Sequence, residues 1–350
     1  MLNGHSRRRN GKWRFTAALS VAVLAGCGNG GELDALLVDY QRHLAESLDL
    51  EAPTPRTPDN IDAFPAPDER LLAIPETREG LLNVYALRDC RISRLVAQRN
   101  NQLGRVARAS QRWLYELKLW HRLDACWRSE VPQELSEANR QRLATLVEMK
   151  TEQLPRVSWN ALFDSSEWVG SFSRASSPLP RDEIEPKEGQ LAALAYLRDV
   201  TLHQFDPDWQ PDSSTLEGHL QTLQTRPYAA ELLRTLLLAE QRLSEASALL
   251  EHALMEADPC RRLSSPLKAL YEAREAEDLD AWLAQLETTA RGWLEAVDGL
   301  LEAQVEGTTE VADYRRRWLS SQSPDAVFSA FSSARKRHDI LRETMVSECR

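Results

Sequence analysis

Leucine and alanine recur at alternating short spacings along three stretches of the chain. Over 228–257 the run is Ala229, Leu232, Leu236, Ala239, Leu243, Ala246, Leu250, Ala253 and Ala257. Over 278–304 it is Leu279, Leu283, Leu286, Ala290, Trp293, Val297 and Leu300. Near the C-terminus it is Val327, Phe331, Ala334, His338, Leu341 and Met345. A period of about 3.5 residues lays one seam of a helix into a partner at a shallow crossing angle, and small alanines let the backbones approach. Leu33, Leu36, Leu37, Tyr40 and Leu44 form a shorter stripe that predicts a helix over 32–48. Long helices are predicted over 77–100, 104–128 and 133–154. The first two meet at Asn100-Asn101-Gln102-Leu103-Gly104, residues suited to a tight helix–helix turn. Segment 155–185 reads as irregular. Pro186 predicts the first position of a helix, Ser214-Thr215-Leu216-Glu217 a capping box, and Ser323-Pro324 the start of the last helix. No useful stretch alternates with period two, and no repeat of solenoid length is present. The fold class expected is all-α: an elongated antiparallel bundle of long helices with coiled-coil-like seams.

The N-terminus reads as an address. Residues 1–14 carry Arg7, Arg8, Arg9, Lys12 and Arg14 and no acid. Phe15 to Leu24 is apolar but shorter than the ~20 residues a spanning helix needs, which fits a secretory signal. Leu24-Ala25-Gly26-Cys27 resembles a bacterial lipobox, whose thiol accepts diacylglycerol. Ser6-Arg7-Arg8-Arg9 lacks the apolar residues expected after a twin-arginine pair, which favours the general secretory route. Gly28, not Asp, follows the cysteine, which favours the periplasmic face of the outer membrane. The organisation expected is a signal peptide over 1–26, then acylated Cys27, a short helix and a Pro-rich tether over 27–75, then a helical body over 76–350. Pro53, Pro55, Pro58, Pro65, Pro67 and Pro75 make the segment before the body a semi-rigid tether or a chain wrapped over the body.

With 42% hydrophobic and 27% charged residues the composition is that of a globular chain. The net charge is −10, and removal of residues 1–26 takes it to −15. Phosphate binding needs a basic face, so nucleic acid is not expected as a partner. No continuous polybasic stretch is present to hold anionic lipid, although a local basic patch is compatible with the chain.

Besides Cys27 the chain holds Cys90, Cys126, Cys260 and Cys349. An even number in an exported chain predicts two disulfides, with the connectivity open. A straight hairpin over 77–128 turning near residue 102 would put Cys90 about 18 Å and Cys126 about 36 Å from the turn. That geometry disfavours a Cys90–Cys126 bridge unless the second helix breaks.

The chain contains no GxSxG, phosphate-loop, dinucleotide-fold or HExxH motif and no Glu-x-x-His pair. No cofactor and no metal site are expected, and no catalytic residue is assigned. His252 and Glu256 read as a solvated helical pair. His338 sits in a seam, where a buried, hydrogen-bonded imidazole competes with a proton-handling role. Trp113, Trp120 and Trp127 form one stripe of one helix, either core packing or the wall of a groove.

Several residues together resemble a known family. Cys90, then Arg99-Asn100, Leu103-Gly104, Tyr115-Glu116, Cys126, Trp159-Asn160-Ala161-Leu162-Phe163, and late His338 and Cys349 resemble a family of Gram-negative lipoproteins known only as a domain of unknown function. The likeness covers most of the mature chain, with Asn101 where the family usually has Ser. It implies address and topology and no chemistry. Arg99 and Asn100 either cap the helix junction or form a recognition knob, and Asn160 beside Trp159 satisfies loop backbone.

The function expected is a non-enzymatic, membrane-anchored envelope lipoprotein, a helical scaffold that binds a periplasmic or envelope protein. The alternatives are a lipid- or glycan-binding module with an aromatic groove, or an envelope hydrolase built around Glu167, Trp168 and the 155–185 segment.

Overall fold

The three Leu/Ala seams pack against one another in a computed structural model that describes residues 30–77, 80–256 and 274–348. In chain order the helices are α1 (Gly30–Ser47), α2 (Pro67–Arg70), α3 (Leu81–Ala86), α4 (Ser93–Asn100), α5 (Gln102–Arg105), α6 (Ala109–Trp127), α7 (Val131–Glu134) and α8 (Glu137–Phe163). They continue with α9 (Ser166–Ser171), α10 (Gln190–Leu202), α11 (Ser213–Gln224), α12 (Tyr228–Leu254), α13 (Arg274–Glu302), α14 (Thr309–Tyr314) and α15 (Val327–Glu348). Among the described residues there is no strand, so the all-α bundle expected from the periodicity is the fold. Cys27, Ala257, Cys260 and Cys349 lie outside the described residues.

Helices α12, α13 and α15 run up, down and up. Tyr228 packs edge-on against Trp293, and Arg335 and Arg342 of α15 pair with Glu287 and Asp280 of α13. The first and last of the three are therefore parallel neighbours, with Met345 against Leu250 and Ala253. The described seam residues are buried as predicted apart from the half-buried Leu341, with Leu232, Leu236, Ala246, Leu286 and Phe331 at 0% exposure. Burial of that many leucines at about 25 cal/mol per Å² dominates the stability of the element. Helix α1 lies along α12. Its Leu33, Leu37 and Leu44 are buried, and Asp34 pairs at 2.8 Å with the wholly buried Arg242.

Four local expectations are corrected. The helix predicted over 133–154 continues through Pro155 to Phe163. An interior proline costs ~3 kcal/mol, but Leu154, Val157, Trp159, Leu162 and Phe163 are all buried around it and outweigh that cost. Pro186 does not open a helix; α10 starts after Gly189, whose φ of 87° suits glycine. Helix α11 is capped by Asp212, which accepts from the Thr215 N–H at 2.9 Å, while Glu217 accepts from Ser110 and Gln111 of α6 instead of closing a capping box. Ser323-Pro324 forms a turn, and α15 begins at Val327.

The largest departure is in the segment predicted as one helix over 77–100. It is broken into α3, a 3₁₀ turn over Arg88–Cys90 and α4. Val84, Leu87 and Cys90 are buried at successive i,i+3 positions. That spacing suits 3₁₀ winding, in which such side chains eclipse, better than an α-helical stripe. Arg91 then takes a left-handed φ of 57° and redirects the chain. Cys90 is thereby turned onto α6 and is bonded to Cys126, with the Cα atoms 5.1 Å apart. The straight-hairpin expectation against this bridge is wrong because the first arm bends. The α6 segment is unbroken over 109–127, and the second arm breaks only before it, between α5 and α6.

The Pro-rich segment takes the wrapped form. Asn60 donates to the Ala175 carbonyl at 2.8 Å, and Arg70 Nε to the Phe163 carbonyl at 2.7 Å. Ile61 and Phe64 are buried in the main core. Residues 51–77 are a strap across the body.

Candidate functional site

Helices α6 and α8 lie antiparallel, and one face of each lines a cleft of about 880 Å³. From α6 come Ala109, Arg112, Tyr115, Glu116, Leu119 and Leu123. From α8, in the opposite sense, come Asp164, Asn160, Val157, Gln153, Lys150 and Leu146. Both sets follow the helical three-to-four spacing, so they share a face. At 1.5 Å per residue the α6 face runs about 21 Å. Its chemistry changes along that length. Leu119, Leu123 and Leu146 lie at the end next to the disulfide, Glu116 and Lys150 in the middle, and Arg112 and Asp164 at the far end.

The strap supplies one side wall, Leu71, Ile74 and Pro75. Asn160 fixes it: its amide accepts from the Leu72 N–H and donates to the Leu72 carbonyl, each at 2.8 Å. Trp159 Nε1 donates to the Arg70 carbonyl at 2.7 Å, and Gln153 Nε2 to the Pro75 carbonyl at 2.9 Å. The side chains of this adjacent pair hold the strap as a sheet edge would hold a neighbour.

The other wall is a flap over 80–108. Its inner side presents Val84, Leu87, Ile92, Val96, Arg99 and Arg105 to the cleft. Asn101 caps α5 by accepting from the Gly104 N–H at 2.8 Å, and Arg99 Nη1 donates to the Gly104 carbonyl at 2.7 Å. A Cβ at Gly104 would collide with the Gln98 and Arg99 carbonyls, so the turn requires glycine. The flap is tied down by Cys90–Cys126 and by Arg122, which donates to the Arg91 carbonyl at 2.7 Å. Neither α4 nor α5 has a buried residue.

The carboxylates of the α6–α8 floor are each matched to a cation. Glu116 pairs with the nearly buried Lys150 at 3.0 Å, and Asp164 with Arg112 at 3.3 Å. Lys150 also donates to Gln153 Oε1 at 3.2 Å. Arg105 has no carboxylate partner among the described residues, and Arg99 is held only by a carbonyl. Tyr115 of the α6 floor is near enough to Arg99 to feel its charge. Burial, reinforced by the Glu116 charge, pushes its phenol pKa up, while the Arg99 guanidinium opposes the shift. The hydroxyl therefore stays protonated and able to donate near neutral pH.

Of the residues singled out in the sequence, Arg99, Asn100 and Asn160 line this cleft, together with Tyr115 and Glu116. Trp113, Trp120 and Trp159 do not form a groove wall. All three are buried, with Trp120 Nε1 donating to Thr151 at 2.8 Å. Trp127, the end of that stripe, is 39% exposed. His338 is buried between α1, α12 and α15, with Nε2 2.7 Å from Tyr40 Oη and Nδ1 3.4 Å from Ser247 Oγ. Arg105, Arg112 and Lys150 were not singled out. Their signal was the cation set among apolar residues on the lining face of each predicted helix. Among the described residues no group of His, Cys, Asp and Glu is arranged to hold a metal, and no helix is long and apolar enough to cross a membrane.

A family model described as a protein of unknown function (DUF3080) matches residues 37–350. No curated protein and no solved structure matches the chain.

Proposed function

The chain belongs to the DUF3080 family of proteins of unknown function, and from that premise we propose that it is a non-enzymatic envelope lipoprotein whose helical body binds an anionic amphiphile in the α6–α8 cleft. The observation that carries this reading is the change in chemistry along the cleft, from Leu119, Leu123 and Leu146 to Tyr115, Arg99 and Arg105. An acyl chain suits the first end, and a carboxylate or phosphate the second, where guanidinium groups bind oxyanions in a planar fork.

Three considerations set this reading above its competitors. The long seams are consumed inside the bundle, so they do not offer a face to a scaffolded partner. A glycan platform needs accessible aromatic rings, and of the stripe considered for it Trp113 and Trp120 are buried, which leaves Trp127 alone at 39% exposure. A hydrolase needs carboxylates free to move protons, whereas Glu116 and Asp164 are ion-paired and Trp168 is sealed in the core. The Gram-negative envelope and outer-membrane address rest on the lipobox at Cys27 and on Gly28.

A fluorescent long-chain carboxylate titrated into the full acylated chain tests the cleft. Saturable binding is expected, with a dissociation constant raised about tenfold or more in Arg99→Gln/Arg105→Gln, since a hydrogen bond to a charged group contributes ~1.5–3 kcal/mol. A probe ending in an alcohol should bind more weakly. Equal binding of the carboxylate by parent and variant would remove the cleft from consideration.

A further inference from the structure

The outer side of the flap differs from the rest of the surface in two independent ways. Residues 80–108 contain six arginines and one acid, Asp89, a net charge of +5 in a chain of net −10. Of these, Arg88, Arg91 and Arg94 are exposed, lie outside the cleft lining and have no carboxylate partner among the described residues. Arg108 makes only a long, exposed contact of 3.8 Å with Glu217. The same segment carries four large apolar side chains in water: Leu82 at 83% exposure, Leu103 at 80%, Val106 at 79% and Tyr85 at 63%. The Arg88 guanidinium lies over the Tyr85 ring, 5.0 Å from its centroid, so cation and apolar surface are joined in one unit.

Soluble surfaces rarely cluster exposed apolar side chains without a partner. Here the cluster is short, lies on small helices, and is interleaved with arginines. That combination is the chemistry of an element that lies in a membrane interface, with its apolar groups among the acyl boundary and its cations among anionic headgroups. A continuous polybasic run is not needed, because Arg88, Arg91, Arg94 and Arg108, all exposed and none lining the cleft, fall within the 29 residues of the flap.

We infer that the outer face of the 80–108 flap docks on an anionic lipid surface. The inference does not require that the cleft beneath it hold a ligand. Charge complementarity sets the partner: cations interleaved with apolar side chains, as where Arg88 lies over Tyr85, match anionic headgroups above an acyl boundary.

The test uses the full acylated chain reconstituted in vesicles of phosphatidylcholine alone or of phosphatidylcholine mixed with phosphatidylglycerol. All vesicles in a sample share one composition, so the flap meets the same lipid in its own membrane or in a neighbouring one. Backbone hydrogen exchange over 81–106 is compared between the two. Slowing of about tenfold or more in the anionic vesicles is expected, reversed by high salt. Each arginine near a charged surface is worth about fivefold in affinity, so Arg88→Gln/Arg94→Gln should remove most of the anionic-lipid protection and return exchange close to the neutral-vesicle value. These two residues do not line the cleft, so carboxylate-probe binding should be kept in that variant. Leu82→Ser/Leu103→Ser should also lose protection. Exchange in α12 and the intact Cys90–Cys126 bridge report that each variant is folded. Equal exchange in the two lipids overturns the inference. So does a flap protected in native envelope membranes but unprotected in anionic vesicles, which would assign the face to a protein.

Discussion

Asn101 occupies the position where the resembling family usually has Ser, and its side-chain oxygen caps α5 through the Gly104 N–H. A serine hydroxyl makes the same bond, so the exchange leaves the junction's chemistry intact. His338 shows the same economy of role at a buried position. Burial, aided by the nearby Arg342 charge and opposed by Asp280, pulls its pKa down to about 3. Its hydrogen-bond partners, Tyr40 and Ser247, are uncharged and do not compensate a proton. The unfolded imidazole titrates near ~6.5. Between the two values the unfolded chain holds the extra proton, so stability is complete above about pH 6.5 and falls as the pH drops toward the folded value. Thermal midpoints measured from about pH 7 down to pH 4 should therefore decline less steeply for His338→Gln than for the parent. Parallel declines would show that other groups govern acid sensitivity.

At the scale of elements, α12 joins a sequence pattern to a measurable packing density. Ala246 is fully buried against α1 and α15. Ser247, one residue on, is also fully buried and faces His338, so it is no neutral comparison for a register test. Ala248 is exposed. Overpacking a dense contact costs ~1–3 kcal/mol, and each kcal/mol lowers the midpoint by about 2–4 °C in a chain of this size. Ala246→Phe should thus melt several degrees below the parent, and Ala248→Phe within about a degree of it, surface changes being worth ±0.5 kcal/mol. Equal shifts would mean that the Leu/Ala register is not what packs α12. The flap is the opposite kind of element. Its α4 and α5 bury no residue, and it is seated by Leu87, Cys90 and Ile92 against α6 and α8, by one disulfide and by one arginine–carbonyl bond.

For the whole molecule, the position of α1 decides how the body would sit at a membrane. The proline-rich strap follows α1 in the chain and is bound to the body, so it is not the link to Cys27. Only residues 28 and 29 separate Cys27 from α1, a reach of about 10 Å at full extension. Helix α1 is itself held by the Asp34–Arg242–Glu245 ion pairs and by Gln41, which donates to the Arg242 carbonyl at 2.8 Å. An acylated Cys27 would therefore hold the body close to the bilayer. Replacing Cys27 by Ser and fractionating the envelope checks the anchor. The parent should sediment with membranes through a high-salt wash, and the variant should not mature by the lipoprotein route. If both partition and mature alike, the lipobox reading is wrong.

The periodicity of Leu, Ala and Trp was enough to establish the long helices α12, α13 and α15, their inward faces and, among the described residues, the absence of strands, because those depend on neighbours three and four residues apart. Arg99, Asn100 and Asn160 were singled out by the family resemblance, and Asn160, expected to serve a loop, lies inside α8 and serves the strap. The cleft could not be read that way. Its floor needs Glu116 opposite Lys150, its strap needs Asn160 on Leu72, 88 residues away, and its flap needs the bend at Arg91. The Cys90–Cys126 bridge turned on that same bend. The path of the helix through Pro155 was decided by the buried side chains around it, and the docking of α1 by contacts such as Tyr40 with His338 across 298 residues. Local periodicity selects which face of an element is apolar. Only the burial gained when distant elements meet is large enough to bend one helix, carry another past a proline, and leave a cleft between them.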